Sequence, residues 1–588
     1  MIHFPPEACQ TVIPPGWFIE RLLTGIRLAM STSSSRVRFP DVPGAGEILT
    51  PDFLEFLCGL NDAMRGQVDA ARASRIDRLR LALRQNTPPG PLPPSEATTQ
   101  PWQVPALPHP LTLPGIEISG PASITSMMIQ ALNPGPEGER AVGYLDDDED
   151  SGGHSLADTV QTARNRKAAL DGTLSADDPQ RGKSYRVEPG PLPFFMHRER
   201  GLYLDEHDLT IDGRPVPATL LGIAATLFHA GRLQAERGES INFYLPKTES
   251  VNEVRLYRAV FDHARERLPH LAQASIRAII LVESLPAAFE MEEMLFALGP
   301  YGAGLNAARW DLKASLIEYA MTNAAGVWPD RFDVDIKTTP FLANLFRRLV
   351  AVCLRHGAVP IGGMATALPS RDEAVNRQAG EAIRADKEWE ARQGFRRGWV
   401  AHIHHMAAAA RPFVELANSG WKPSPEMADP ANLPLRIETP AGAITELGTR
   451  RNLRTMLEYL EGWLRGRGAK GIDSMAGRPG ARPALMEDLA TARISVAQTA
   501  QRIMHESVCA DTGRRHSAAM VKAILDEERA DILARLGDLS EPQIRARYEY
   551  SFGIAQRWIR NYTELDFRSL GSYTRTELEA IGRSPDAL

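Results

Sequence analysis

Glu283 and Asp311 lie in the stretch RAIILVESLPAAFEMEEMLFALGPYGAGLNAARWDLKAS, Arg277–Ser315. Glu283 ends the apolar run Ala278–Val282, and Asp311 follows a second run, Gly302–Asn306. A strand buried on both faces reads as an unbroken hydrophobic run. A charge at its exit then sits at the rim of a sheet or barrel, where ligands bind. Two carboxylates from neighbouring strands can share one hard divalent cation, which prefers oxygen ligands. Their separation suits one strand–helix–strand step. Taken alone, each acid equally suits a surface or a helix cap.

Other residues offer chemistry at similar exits. Asp146–Asp150 form an acidic run, which in isolation reads as a solvated turn. Arg198 and Arg200 stand in HRERG, and Lys247 and Glu249 in PKTES. Asp488, in LMEDLA, opens a helical pattern, where an acid also serves simply as a dipole partner. His402, His404 and His405 in AHIHH invite a metal reading, with His402 and His404 on one strand face. No third ligand pattern accompanies them, so zinc is disfavoured against rim or core histidines.

The elements that must hold these groups form a clear rhythm. Thr50-Pro51-Asp52 opens a helical pattern reaching about Gln85, with Thr50 as cap and Pro51 in the first turn. Thr87–Gly115 is proline-dense and expected to be extended. From Ile116 to about Pro434, short apolar runs alternate with helical patterns, which implies βα units and a parallel sheet. Eight strands are expected: Ala141–Leu145, Pro193–His197, Ile241–Leu245, Arg277–Val282, Gly302–Asn306, Phe332–Ile336, Ala358–Gly362 and Gly398–His402. The polar residues fall just after these runs, which favours a (β/α)8 barrel over an open sheet. From about Glu446 the strands stop. Helical patterns follow at Leu453–Leu464, Ser517–Leu536 and Glu541–Tyr562, broken by the Gly/Pro-rich Gly466–Pro483. The expected division is 1–115 (helical clasp and linker), 116–435 (barrel) and 436–588 (all-helical).

Composition excludes several classes. The chain has 588 residues, 43% hydrophobic and 24% charged, as in soluble globular proteins. A net charge of −6 and a pI near 6.2 give no electrostatic case for nucleic acid or anionic membrane. Four cysteines, Cys9, Cys58, Cys353 and Cys509, form no CxxC and fit a reducing compartment. No run suits a bilayer span, and no signal pattern opens the chain, so a cytoplasmic location is expected. Met1–Ser35 reads as ragged, with Met30 a candidate alternative start.

The chain resembles the malate synthase family in its short, A-type form. The likeness runs from about Ile48 to Glu528 and rests on ordered motifs. They are ILTP (48–51), MMIQALNPG (127–135), LDDDED (145–150), HRERGLYLDEH (197–207), FYLPKTES (243–250), VESLPAAFEMEEML (282–295), GLNAARWD (304–311), IGGMATALP (361–369), RADKEWEA (384–391), WVAH (399–402) and LMEDLATARIS (485–495). The resemblance implies a TIM barrel with an N-terminal helical clasp and a C-terminal helical domain. It also implies a Mg2+-dependent Claisen condensation of acetyl-CoA with glyoxylate, followed by hydrolysis to malate and CoA in the glyoxylate bypass. By the same resemblance, Glu283 and Asp311 match the metal ligands, and Glu149 and Asp150 match a pair that holds the metal's waters. Arg198 matches the arginine that polarises glyoxylate and steadies the enolate, and Asp488 matches the catalytic base. Arg309 and Trp310 share the motif of Asp311 and are candidates for substrate contact, or equally for rim packing. The protein is expected to be a monomer or small homo-oligomer.

The pattern also departs from the family. Ala307-Ala308 replaces a usual Cys-Gly, Ile403 a proline, Glu199 a proline and Lys313 an apolar residue; the loop before Asp488 is longer. These changes leave open a sibling enzyme acting on another 2-oxo acid or acyl-CoA. A paralogue that binds CoA without turnover is the other alternative.

Overall fold

The computed structural model describes residues 30–31, 36–179, 182–473, 475, 480–536, 542–584 and 588. Cys9, most of Met1–Ser35 and part of Gly466–Pro483 lie outside them. Eight parallel strands close into a barrel. They are β1 (Gly115–Gly120), β2 (Gly143–Asp147), β3 (Phe194–Arg198), β4 (Ile241–Leu245), β5 (Ile276–Val282), β6 (Gly302–Ala307), β7 (Val359–Ala365) and β8 (Arg397–Val400). Each pairs with the next, and β8 returns to β1 with Trp399 beside Glu117.

The barrel is filled by side chains. Leu145, Met196, Tyr244, Ile279, Leu281, Ile361 and Trp399 pack inside it. At β6 a Cβ on Gly304 would lie 2.1 Å from the Val359 carbonyl oxygen of β7. Only glycine fits there.

Seven of the expected strands are present, and one expectation is corrected. Phe332–Ile336 is not a strand; it forms turns between helices, with Val334 and Ile336 buried as loop anchors. The eighth strand is instead β1, sequence GIEISG. It reads poorly because a charged residue, Glu117, breaks its apolar run. That charge is fully buried, paired with Arg397 and bonded to Tyr244 Oη (2.7 Å) and Trp399 Nε1 (3.1 Å).

The long helix α1 (Pro51–Gln85) has the expected bounds. The Thr50 side chain accepts the Phe53 N–H at 3.4 Å, and Asn86 ends the helix in the left-handed region, φ +50°. Phe53, Phe56, Leu57 and Leu60 bury one face, and Phe53 packs edge-on to Phe228 of the barrel's helical layer.

The C-terminal part is helical: α3 (Glu446–Leu464), α4 (Leu489–Met504), α5 (Ala518–Leu536) and α6 (Pro542–Thr563), while α2 (Arg309–Tyr319) follows β6. The expectation that strands stop at Glu446 is corrected by a small antiparallel pair, Lys470–Ile472 with Leu485–Glu487, which brings the chain to Asp488. An unforeseen antiparallel sheet also joins Val37–Pro40 to Asp205–Ile211 and Arg214–Pro217. β8 ends before His402, which caps the short turn Ile403–His405, so His402 and His404 share no strand face. Cys58, Cys353 and Cys509 carry free thiols. No helix among the described residues is long and apolar enough to cross a membrane.

Candidate active site

The C-terminal ends of β2 to β6 place most of the expected groups at one barrel mouth. Beyond β2 the acidic run is buried rather than solvated. Asp147 Oδ1 accepts the N–H groups of Glu149 (3.0 Å) and Asp150 (3.2 Å), while Oδ2 accepts Ser151 N–H (3.1 Å) and its hydroxyl (2.8 Å). This side-chain turn folds the two following acids inward. Arg198, the last residue of β3, forks onto Asp147 with Nε at 2.7 Å and Nη2 at 2.6 Å, and reaches Asp150 at 3.2 Å. Burial alone would raise Asp147, but the charge and hydrogen bonds of Arg198, with those from Ser151 and the Asp150 N–H, together outweigh it and hold the carboxyl down to about 2.

Lys247, just beyond β4, sits among the acids. Its Nζ lies 2.6 Å from Asp150, 3.1 Å from Glu149 and 3.2 Å from Asp311. Its backbone N–H donates to Glu283 Oε1 at the exit of β5. Glu149 also accepts Gly201 N–H and the Tyr203 hydroxyl, each at 2.6 Å.

Asp311, in the first turn of α2, faces Lys247 with Oδ2 and accepts Arg493 Nη1 of α4 at 2.8 Å with Oδ1. Burial opposes ionisation, yet Lys247 and Arg493 hold its carboxyl below the usual range. Arg493 also forks onto Glu318 at 2.9 and 2.6 Å.

Asp488 is the N-cap of α4. It accepts Thr491 N–H at 3.2 Å while its own N–H donates to the Thr491 hydroxyl at 2.9 Å. Burial, reinforced by the charges of Asp150 and Asp311, pushes its carboxyl up to about 8. Burial, with Asp311 and Asp150 adding to it, likewise pushes Glu283 up to about 8, and Asp150 is pushed up to about 6. The carboxylates Asp147, Glu149, Asp150, Glu283, Asp311 and Asp488 outnumber the cations Arg198, Lys247 and Arg493. Buried oxygen donors whose ionisation is suppressed by burial and by one another fit a hard divalent cation. Among the described residues no group of three His, Cys, Asp or Glu side chains could hold a metal on its own. A cation held here would take its remaining donors from substrate or water.

Arg309 and Trp310 stand apart from this cluster. Arg309 pairs with Asp386 at 2.7 Å and with Glu390, and Trp310 stacks under Lys313 (4.7 Å) and Arg331 (5.1 Å). Arg200 is likewise held by Glu206 at 2.6 Å. The departures are absorbed locally. Glu199 turns away from Arg198 to Arg166 (2.7 Å), and Ala308 adopts an ordinary extended backbone, φ −92°. Lys313 donates to the Val334 carbonyl at 2.6 Å. Three contributors were not singled out from sequence: Asp147, Lys247 as a bridge, and Arg493. Each lies inside a motif already in view, but its partners are distant along the chain.

A cavity of about 1010 Å³ opens beside Lys247, Glu283 and Arg493, walled by α1, α2 and α6. Barrel, long helix and C-terminal helices thus meet at one place.

The sequence matches known proteins. Residues 194–424 match the profile "Malate synthase, TIM barrel domain", and residues 443–574 match "Malate synthase, C-terminal". The malate synthase of Streptomyces clavuligerus is 33% identical over 549 residues, covering 92% of this chain and 97% of that one. The chain belongs to the malate synthase family. Malate synthase A of Escherichia coli is 31% identical, covering 90% of this chain and 95% of that protein. A malate synthase of rice is 32% identical, covering 92% and 94%. The family assigns the chain to the acyltransferases, and neither the sibling enzyme using another 2-oxo acid or acyl-CoA nor the non-catalytic paralogue is favoured.

Proposed function

We propose that this malate synthase is of the A type. It joins the acetyl methyl of acetyl-CoA to the aldehyde carbon of glyoxylate, then releases malate and CoA by hydrolysis, serving the glyoxylate bypass in the cytoplasm. The division near residues 115 and 435 into clasp, barrel and helical domain belongs to the same reading. Glu283 and Asp311 would hold Mg2+, which when bound supplies a Lewis acid for the aldehyde oxygen.

The chain's own groups do the rest. Asp488 takes a methyl proton, a demanding step because that C–H is a very weak acid. Its raised carboxyl pKa makes it a stronger base once ionised. Arg198 faces the oxygen where negative charge develops, and its fork onto Asp147 fixes its aim before the reaction. Glu149 and Asp150 hold the surrounding waters in place from behind. Because Asp488 comes from the helical domain, its approach to the barrel mouth shields the carbanion from solvent.

One observation carries this reading: Asp488 caps α4, and Arg493 of the same helix donates to Asp311 at 2.8 Å, which ties the proposed base to a proposed metal ligand from a separate part of the chain. The test is free-thiol release from acetyl-CoA and glyoxylate with Mg2+. Activity should vanish in EDTA and return with Mg2+. Turnover that persists in EDTA, or that requires a 2-oxo acid other than glyoxylate, overturns it.

A further inference from the structure

Lys247 uses each of its polar groups on the site. Its N–H donates to Glu283, its carbonyl accepts Arg75 Nη2 of α1 at 2.7 Å, and its ammonium meets Asp150, Glu149 and Asp311. The residue is buried, and its backbone is left-handed, φ +47°. Non-glycine residues adopt that conformation at a cost and keep it where surroundings demand it. Here the demand is visible. The peptide turns to aim its N–H at the exit of β5, and the same residue sends its side chain to the first turn of α2.

Glu283 and Asp311 come from different elements and carry like charge once both are ionised, as cation ligands must be. Without a cation between them they repel, and Asp311 also has Arg493 drawing its other oxygen towards α4. We propose that Lys247 is a positioning residue that sets both cation ligands, Glu283 through its backbone and Asp311 through its ammonium. Asp150 and Glu149 fix the ammonium from behind, and Arg75 fixes the backbone, so the long helix α1 takes part in shaping the cation site. This inference rests on the assignment of Glu283 and Asp311 as ligands.

The test is Mg2+ titrated into the full-length, substrate-free protein by calorimetry. Wild type should bind one Mg2+. Lys247→Met should bind at least about tenfold more weakly, the usual effect of losing a group behind a metal ligand. Lys247→Arg, which restores the charge, should recover most of the affinity. Lys247→Gln, neutral but still a donor, is read in the same way and covers a Met variant that does not fold. If the neutral variants bind Mg2+ as tightly as wild type or more tightly, the ammonium is only a competing cation and the inference is wrong. A wild type that binds no Mg2+ removes the ligand assignment as well.

Discussion

Arg493 of α4 donates to Asp311 of α2 at 2.8 Å while forking onto Glu318 of the same helix. The Tyr562 hydroxyl of α6 adds a donor to Glu318 at 2.9 Å. The C-terminal helices are thus tied to the barrel beside a proposed metal ligand, five residues after the proposed base. Removing the guanidinium leaves two buried carboxylates without it. Arg493→Leu should lower stability by about 3 kcal/mol in denaturant unfolding, and should cut turnover more than Arg493→Lys does. A leucine variant with unchanged stability would show the tie to be incidental.

Asp488→Asn keeps an N-cap side chain but removes the carboxylate. Thiol release should fall by about 10²–10⁴-fold, the range for a lost general base. Circular dichroism should show the fold unchanged.

The same variant predicts a pH dependence of stability. The Asp488 carboxyl, at about 8 in the folded chain, keeps a proton that the unfolded chain releases near its ordinary value of 3.8. Its contribution to stability is full below about pH 4 and is lost as pH rises through 8. In EDTA, Asp488→Asn should therefore match wild type near pH 4. It should exceed wild type at pH 8–9 by about 1–3 kcal/mol. Equal pH profiles would mean that burial does not perturb this carboxyl.

Arg198→Lys retains charge but cannot fork onto Asp147. The rate constant kcat should drop by about 10²–10³-fold while the protein stays folded. A change confined to KM would place Arg198 in binding alone.

Gly304→Ala tests the barrel itself. A Cβ at 2.1 Å from the Val359 carbonyl forces β6 and β7 apart, where neither backbone can yield easily. Stability should fall by about 2–3 kcal/mol, measured by thermal or urea unfolding.

The sequence made some of this legible and not the rest, for physical reasons. β4, β5 and β6 are buried on both faces, so their apolar runs show directly. β1 does not show, because Glu117 is tolerated only through Arg397, Tyr244 and Trp399, contributed by distant strands. Phe332–Ile336 mimics a strand because Val334 and Ile336 alternate with acids, yet it packs as a loop. In the site, Glu283, Asp311, Arg198 and Asp488 could be named from motif resemblance. The parts played by Asp147, Lys247 and Arg493 could not, since each depends on partners brought together only by folding.

The central claim is that Glu283 and Asp311 share one divalent cation at the barrel mouth, opposite Asp488. Anomalous scattering from a crystal grown with Mn2+ in place of Mg2+ tests it most directly. The predicted result is one strong peak in contact with both carboxylates. A peak that touches neither, or two peaks each held by only one of them, would contradict it.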